Sequence, residues 1–232
     1  MIHARPGRLT AVALGLGLLL GACSEDQTTA LVLVSDGRSP AVDDLIDSMA
    51  QDPARVFASE RIGLETVGTV VVATYNLTGD LDTVSFNLLG HGPDRVRRDN
   101  DARAQAAALG TALDELPDHQ PGNALRAIRN AVDITEARAD AATLVLAGLG
   151  RAVIDDFHVE ETDLTTPERR AEVIEALQAA GYLPALRQRQ QLIVLAPSEG
   201  VASGIVASQI DAFASELCAA IHGTCTVERS LP

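Results

Sequence analysis

Short runs of aliphatic and β-branched residues alternate along the chain with longer stretches whose apolar residues recur at helical spacing. The short runs are continuous rather than alternating, which is typical of strands buried on both faces of a parallel sheet. The pattern therefore predicts an α/β fold, a three-layer, doubly wound and mostly parallel sheet with helices on both faces. The predicted strands cover residues 30–36, 69–76, 82–90, 142–150, 191–197 and 225–229.

Helix signals fill most of the intervals between these strands. Pro40 opens the first helix, at a position where the missing amide is no loss. A later helix carries start and stop signals together, with Thr166 as cap, Pro167 at the first position and Gly181 after the last turn. The predicted helices cover residues 40–50, 53–61, 101–116, 122–138, 166–181 and 201–222.

One pair of strands has no helix between them. The runs at 69–76 and 82–90 are separated only by the turn residues LTGDL. A parallel crossover needs a much longer connection, so we expect an antiparallel hairpin at the edge of the otherwise parallel sheet.

The amino-terminal segment has the pattern of an export signal. Arg5 and Arg8 precede an apolar stretch of about a dozen residues, too short to span a membrane as a mature helix. The stretch ends in Leu-Gly-Ala-Cys at Cys23, which resembles a bacterial lipobox. The resemblance implies cleavage before Cys23 and acylation of that residue with palmitate-type chains. An ordinary secretory signal that happens to contain a cysteine is the alternative.

The lipobox fixes an expected organisation and location. We expect a signal peptide over residues 1–22, a tether over 23–28 and one domain over 29–232. Several acyl chains give stable attachment, because each buried CH₂ contributes about 0.8 kcal/mol. The protein should therefore be tethered to the membrane of the cell envelope and face the periplasm. Ser24 after the cysteine resembles the sorting pattern of the outer rather than the inner membrane.

The mature chain is strongly acidic. The signal carries two of the 18 basic residues and none of the 32 acidic ones, which leaves 16 arginines, no lysine and a formal charge of −16. Such a surface repels phosphate backbones, and no basic stripe with aromatic residues is visible, so nucleic acid is not an expected partner. Solubility is one interpretation of the charge, and an acidic docking face is the other.

Two cysteines remain beyond the lipid-bearing one. Cys218 lies near the end of a predicted helix and Cys225 follows Gly223, in an exported and therefore oxidising setting. We expect a disulfide bond between them. The alternative, a catalytic thiol, needs a neighbouring base, and the near candidate is His222 in the turn itself.

The order of the predicted elements resembles a von Willebrand factor A domain from about residue 29 onward. A buried strand ends in Asp36, and a helix, an antiparallel hairpin, a helix pair and a glycine-ended strand follow. A helix, a strand, a helix and a last strand complete the order. The resemblance implies a metal site built from D-x-S-x-S after the first strand, a threonine before a later helix and an aspartate after the fourth strand.

This sequence departs from that metal motif. Asp36 is present, but Arg38 and Pro40 occupy the two serine positions. A hard divalent cation needs several oxygen ligands, and a guanidinium at one of those positions repels it. We therefore expect no metal and no cofactor. The later ligand positions are also altered, with His119 or Gln120 at the threonine and Ala147 or Gly148 at the aspartate.

Asp36 keeps two interpretations. In the structural one it pairs with Arg38 or accepts hydrogen bonds from the backbone of the next helix. In the other it binds a partner, because ligands of open α/β sheets meet the carboxyl ends of the strands. The candidate partner-binding residues are Asp36, Arg38, Ser39, His119 and the loop 148–151.

Other polar clusters favour ordinary structure. The run DDFHVEETD at 155–163 lacks an EF-hand loop, and one histidine without cysteines is a poor zinc set, so it reads as a solvated acidic loop. HGPD at 91–94 reads as a turn that leads into a charged helix entry. The chain has no G-x-S-x-G, no P-loop and no G-x-G-x-x-G after a strand.

Three function classes follow. The first is a membrane-anchored envelope lipoprotein that acts as a cation-independent protein-interaction module with an envelope protein as partner. The alternative is a lipid-anchored periplasmic enzyme of hydrolase type that uses the strand-end cleft around Asp36 and His119. The third is capture of a small solute, for which 3% aromatic residues offer few pocket walls. No residue set names a reaction.

Overall fold

Six strands form one central sheet in the computed structural model of the chain, which describes residues 29–38, 42–43, 67–117, 121–136, 141–154, 157–195 and 204–229. The strands are β1 (Thr29–Ser35), β2 (Val67–Tyr75), β3 (Leu81–Asn87), β4 (Ala141–Ala147), β7 (Gln190–Leu195) and β8 (Thr224–Glu228), while β5 (Val153–Ile154) and β6 (Phe157–His158) form a separate hairpin. The strand order in the central sheet is β3-β2-β1-β4-β7-β8, and every neighbouring pair is parallel except β2 with β3.

The described helices connect these strands and cover both faces of the sheet. They are α1 (Arg95–Asp114), α2 (Ala124–Glu136), α3 (Pro167–Ala179) and α4 (Gly204–Ala220). A 3₁₀ turn (Leu149–Arg151) follows β4, and a small two-stranded hairpin, β5 (Val153–Ile154) with β6 (Phe157–His158), follows the turn.

Alternate residues of β1 enter two separate apolar cores. Val32 and Val34 face a core that includes apolar residues of α2, α3 and α4. Leu31 and Leu33 face the second core, which contains Leu109 and Leu113 of α1. Burial on both faces explains the continuous apolar run, because each large aliphatic side chain removed from water contributes about 1.5–3 kcal/mol.

The predicted fold class is confirmed by this arrangement. The sheet lies between helical layers, and its antiparallel pair is the hairpin β2–β3 at one edge. The order reverses at β1, which has β2 on one side and β4 on the other. Crevices at such a switch point, beyond the carboxyl ends of the strands, are the usual ligand sites of this architecture.

Helix α1 begins earlier than the sequence pattern predicts, at Arg95 rather than at residue 101. Asp94 is the N-cap, and its side chain accepts a hydrogen bond from the Arg97 amide at 2.9 Å. The first turns are exposed and charged, so they carry no apolar periodicity to mark them. The predicted cap at Thr166 is confirmed, since its side chain accepts from the Arg169 amide.

The carboxyl-terminal elements are joined covalently. Cys218 in α4 and Cys225 in β8 have their sulfur atoms 1.96 Å apart and their Cα atoms 5.1 Å apart. The predicted disulfide is therefore present. The predicted acidic loop at 155–163 is partly structured instead, because Phe157 and His158 form β6 against β5.

Several predictions concern residues outside the described ranges. These are the signal peptide 1–22, the tether 23–28 and the helix 53–61. Of the predicted helix 40–50, the structure describes residues 42 and 43, and both are helical. Within the described ranges, none of the helices combines the length and the apolar character needed to cross a membrane.

Candidate functional site

The carboxyl end of β1 meets the loop after β4 in a tightly closed contact. Asp36 follows β1 and is 2% exposed. Gly148 follows β4 with φ +95°, and a Cβ at this glycine would lie 2.9 Å from Asp36 Oδ2 and closer still to Oδ1. Only a residue without a side chain fits this position, so the carboxylate is held directly against the backbone of the β4 loop.

Tyr75 closes the same region from the end of β2. Its ring packs on Gly122, where a Cβ would lie 2.8 Å from the ring carbon Cδ2. Tyr75 is 4% exposed, and its hydroxyl oxygen has no hydrogen-bond partner among the described residues. Burial, and then the negative charge of Asp36, raise the pKa of Tyr75 well above its ordinary value. We call Asp36, Tyr75, Gly122 and Gly148 the strand-end centre.

A tight turn follows β1 at Ser35 to Gly37. The Ser35 hydroxyl donates to the Gly37 carbonyl, and the Gly37 amide donates back to Ser35 Oγ at 3.2 Å. Ser35 is fully buried. The turn therefore satisfies its own polar groups within the chain rather than presenting them to a ligand.

Arg38 leaves this turn and lies at the surface. Its Nε is 2.6 Å from Asp43 Oδ1, and its Nη1 is 3.2 Å from both the carbonyl oxygen and Oδ1 of Asp114, the last residue of α1. Its amide donates to the Pro117 carbonyl at 2.7 Å. Asp43 first, and Asp114 second, raise the pKa of Arg38. We call Arg38, Asp43, Asp114 and Pro117 the arginine bridge.

The structure separates residues that the sequence analysis grouped. Among the ion pairs of the described residues, Arg38 joins Asp43 and Asp114, and the expected Asp36–Arg38 pair is not among them. Ser39 and His119 lie outside the described ranges. Within those ranges no group of three or more His, Cys, Asp or Glu side chains is arranged to hold a metal ion.

An open cleft of about 630 Å³ lies beside the strand-end centre, on the face covered by α2. No sequence pattern predicts this cleft, because its lining comes from three segments far apart in the chain and includes no recognised motif. We call it the side cleft. Its lining residues are Leu77, Thr78, Pro121, Asn123, Arg126, Val153 and His158.

The first wall of the side cleft is the turn between β2 and β3. The Asn76 side-chain oxygen accepts from the amides of Thr78 and Asp80, each at 3.0 Å, and from the Thr78 hydroxyl at 2.8 Å. This Asx-type network fixes the turn. Leu77 therefore projects from a rigid loop, 65% exposed.

The second wall is the start of α2. The Asn123 side-chain oxygen caps the helix by accepting from the Arg126 amide at 3.0 Å. Gly79, with φ +80°, packs so closely on α2 that a Cβ would lie 2.7 Å from Arg126 Cβ. Asn130 donates from Nδ2 to the Gly79 carbonyl at 2.9 Å. The hairpin turn and the helix start are thus locked together.

The third wall is the small β5–β6 hairpin. The Val153 amide donates to the Gly122 carbonyl at 2.9 Å, and the Val159 amide donates to the Ala152 carbonyl at 3.1 Å. Val153 is 8% exposed, whereas His158 is an exposed residue at the rim. The Val153 bond ties the hairpin to the loop before α2, and the Val159 bond closes the hairpin, so all three walls form one connected scaffold.

Comparisons with known proteins give little beyond the fold. No family model and no curated protein matches the chain. Among solved structures it is similar to the pilus adhesin SpaC from Lactobacillus rhamnosus GG in its open conformation, with 10% identity over 88% of this chain and a TM-score of 0.45. It is also similar to the human COPII-coat protein Sec24c, with 13% identity over 88% of this chain and a TM-score of 0.41.

Both similarities are partial. The chain spans 28% of the SpaC chain and 30% of the Sec24c chain. The fold class rests on the sheet order and helix placement described above, and neither similarity bears on function.

Proposed function

We propose that the chain is an envelope lipoprotein, anchored through Cys23, that acts as a protein-interaction module and docks its partner without a cation. The lipobox-like end of the first 22 residues supports the anchor. The surface at the carboxyl ends of the strands supports the docking role, because ligands of open α/β sheets meet that edge.

The observation that carries the docking proposal is the arginine bridge. Arg38 stands two residues after Asp36, at a position where the von Willebrand A metal motif has a serine ligand. Its side chain is 40% exposed and is held between Asp43 and Asp114. A fixed guanidinium at the rim can meet a partner carboxylate directly, with no metal between the two proteins.

The enzyme alternative has less support. A catalytic carboxylate must reach the substrate, whereas Asp36 is 2% exposed and is covered by Gly148. The carboxylate instead packs against the backbone at Gly148. The candidate surface for chemistry at Asp36 is therefore closed.

The experiment that tests the docking proposal is in-cell crosslinking of the full-length protein followed by mass spectrometry. Wild type is compared with Arg38→Ala and with a matched control, Arg187→Ala. Arg187 is a comparably exposed arginine, at 50% against 40% for Arg38, in a surface pair with Asp133, but it lies before β7, at the opposite end of the sheet. We expect one envelope protein to be recovered with wild type and the control and lost with Arg38→Ala.

The opposite pattern, equal recovery with Arg38→Ala, excludes the arginine bridge as the docking site. The anchor is tested separately with Cys23→Ser. We expect this variant to leave the membrane fraction and to lose the acyl mass at its amino terminus. Processing that globomycin does not block would contradict the lipoprotein proposal.

A further inference from the structure

We propose that the side cleft is a binding site for an aliphatic carboxylate, meaning a carboxylate group carried on a short apolar chain. The proposal does not depend on the docking role of the arginine bridge. That bridge is anchored to α1 on one side of the sheet, whereas the side cleft lies against α2 on the other.

The size and walls of the cleft suit a small ligand with an apolar part. Its volume of about 630 Å³ falls within the usual range of small-molecule sites, roughly 300–1,000 Å³. Leu77, Pro121 and Val153 supply apolar wall surface. Leu77 is 65% exposed, so covering it with an aliphatic group removes apolar surface from water. The apolar wall surface of the cleft is thus aliphatic, in a chain with only 3% aromatic residues.

The polar groups of the cleft favour a negative charge. Arg126 is held by one long contact, 3.4 Å from its Nη2 to Asp80 Oδ1, between two side chains that are 52% and 61% exposed. Such a pair is weak and leaves most of the guanidinium donors available. Asn123 uses its side-chain oxygen for the helix cap, which leaves its amide nitrogen as a donor. The amino terminus of α2 adds a partial positive charge.

The geometry favours a carboxylate over a phosphate. Phosphate sites at helix starts use several free backbone amides. Here the Ala124 amide donates to the Gly122 carbonyl at 3.0 Å, and the Arg126 amide donates to Asn123. The start of α2 therefore offers fewer free amides than a phosphate site uses, whereas the Arg126 guanidinium and the Asn123 amide nitrogen suffice for the two oxygens of a carboxylate.

The scaffold is organised before any ligand arrives. The Asn76 network, the Asn130 bond to Gly79 and the Val153 bond to Gly122 join the three walls. A ligand therefore orders few groups when it binds, which lowers the cost of association. The chain as a whole has a formal charge of −14 and repels anions, so any carboxylate affinity must come from these local donors.

The test uses the full chain in detergent and follows its amide spectrum by NMR. N-acetyl-leucine represents the terminal residue of a peptide, 4-methylpentanoate represents a free acid, and N-acetyl-leucinamide is the matched ligand without a charge. We expect a carboxylate to bind with a dissociation constant of about 1 mM, the range for a ligand of this size. The shifted signals should be those of Leu77, Asn123, Arg126, Val153 and His158.

Two variants locate the site. Arg126→Gln should weaken carboxylate binding about tenfold, because it removes a charged hydrogen bond. Arg129→Gln is the matched control, since Arg129 is an exposed arginine of the same helix that donates to the Gly181 carbonyl at 2.8 Å. It should bind as wild type does. Leu77→Glu, at an exposed position, removes apolar wall surface, places a negative charge at the cleft and should weaken carboxylate binding more than Arg126→Gln does.

The outcomes separate cleanly. Binding of N-acetyl-leucine but not 4-methylpentanoate supports a site for the chain terminus of a peptide, and the reverse supports a site for a free acid. Equal binding of N-acetyl-leucinamide, or unchanged binding by Arg126→Gln, overturns the proposal. Loss of binding in Arg129→Gln to the same extent as in Arg126→Gln overturns it as well.

Discussion

The strand-end centre and the side cleft lie next to each other at the same edge of the sheet, but the chain treats them in opposite ways. In the strand-end centre a buried carboxylate and a buried phenol are pressed against glycines, and Asp36 is 2% exposed. In the side cleft an arginine and a leucine project into open space, and Leu77 is 65% exposed.

This difference shows that the location of a residue at the carboxyl ends of the strands does not by itself make it accessible to a ligand. The crevice at the β1–β4 switch point is where open α/β sheets usually bind ligands. Here the backbone at Gly148 packs against Asp36, so the Asp36 carboxylate is not accessible to a ligand. The accessible features are the arginine bridge on the α1 side and the side cleft on the α2 side.

The strongest way to break the closed region is Gly148→Ala. The new Cβ would overlap the Asp36 carboxylate, and an alanine at φ +95° is strained. We expect the free energy of unfolding, measured by urea denaturation, to fall by about 3 kcal/mol. Gly110→Ala is the control, because Gly110 lies in α1 with nothing within 4 Å of its added Cβ. It should be neutral or stabilising by up to about 1 kcal/mol. A loss below about 1 kcal/mol for Gly148→Ala would mean that the centre is not closed.

A smaller effect is expected from Gly79→Ala, the equivalent change beside the side cleft. The added Cβ would lie 2.7 Å from Arg126 Cβ and 2.8 Å from the Asn123 carbonyl oxygen, at φ +80°. The turn is mostly exposed at an edge of the sheet, so we expect a smaller loss than for Gly148→Ala, about 2 kcal/mol in the same denaturation assay. The displacement of Arg126 should also weaken N-acetyl-leucine binding. Unchanged affinity would show that Gly79 does not position the arginine.

Alkaline pH is an informative probe of the strand-end centre, because lysine and tyrosine are the side chains that titrate near pH 10. The chain has no lysine and two tyrosines, of which Tyr75 belongs to this centre. The pKa of Tyr75 in the folded protein is raised above the ordinary 10.0. As the pH rises, the Tyr75 phenol therefore ionises in the unfolded chain at a lower pH than in the folded protein. The stability given by the neutral phenol is complete below pH 10.0 and declines from there toward the folded pKa. We expect the unfolding midpoint in urea to fall above this pH in wild type.

Tyr75→Phe should remove most of that alkaline decline. It should cost little stability at neutral pH, because the Tyr75 hydroxyl has no hydrogen-bond partner among the described residues. Tyr182→Phe, at a half-buried position, is the control and should keep the decline. An alkaline decline that persists in Tyr75→Phe would contradict the burial of a phenol beside Asp36.

The smallest effect on stability is expected from Arg38→Ala. The ion pairs of Arg38 with Asp43 and Asp114 are at least 40% exposed on every side chain, and exposed pairs are screened by solvent. We expect the urea midpoint to remain close to that of wild type while partner recovery is lost. A large fall in the midpoint would show instead that the arginine bridge is a structural clamp.

The sequence predicted the fold far better than the candidate sites. Continuous apolar runs such as 30–36 and 142–150 predict strands that are buried on both faces of the sheet. The short LTGDL connection predicts the antiparallel pair. The disulfide was also predictable, because Cys218 and Cys225 lie close in sequence across a helix stop. Each of these features depends on residues that are close together in the chain, so it can be read directly from the sequence.

The sites depend on contacts that local spacing does not record. Asp36 and Arg38 are two residues apart, yet one is buried against Gly148 and the other reaches Asp114 at the end of α1. The side cleft combines Leu77 with Arg126 through the packing of Gly79 on α2. Only the folded chain brings such residues together, so no motif could have marked them.

The measurement that tests the central claim most directly is recovery of the crosslinked partner in the presence of EDTA or of added Mg²⁺. Within the arginine bridge the Arg38 guanidinium can contact a partner carboxylate without a metal ion, so we predict that wild type recovers the same partner equally well in both conditions. Recovery should be absent in Arg38→Ala under both. Recovery that disappears with EDTA and returns with Mg²⁺ would contradict the claim that this surface docks without a cation.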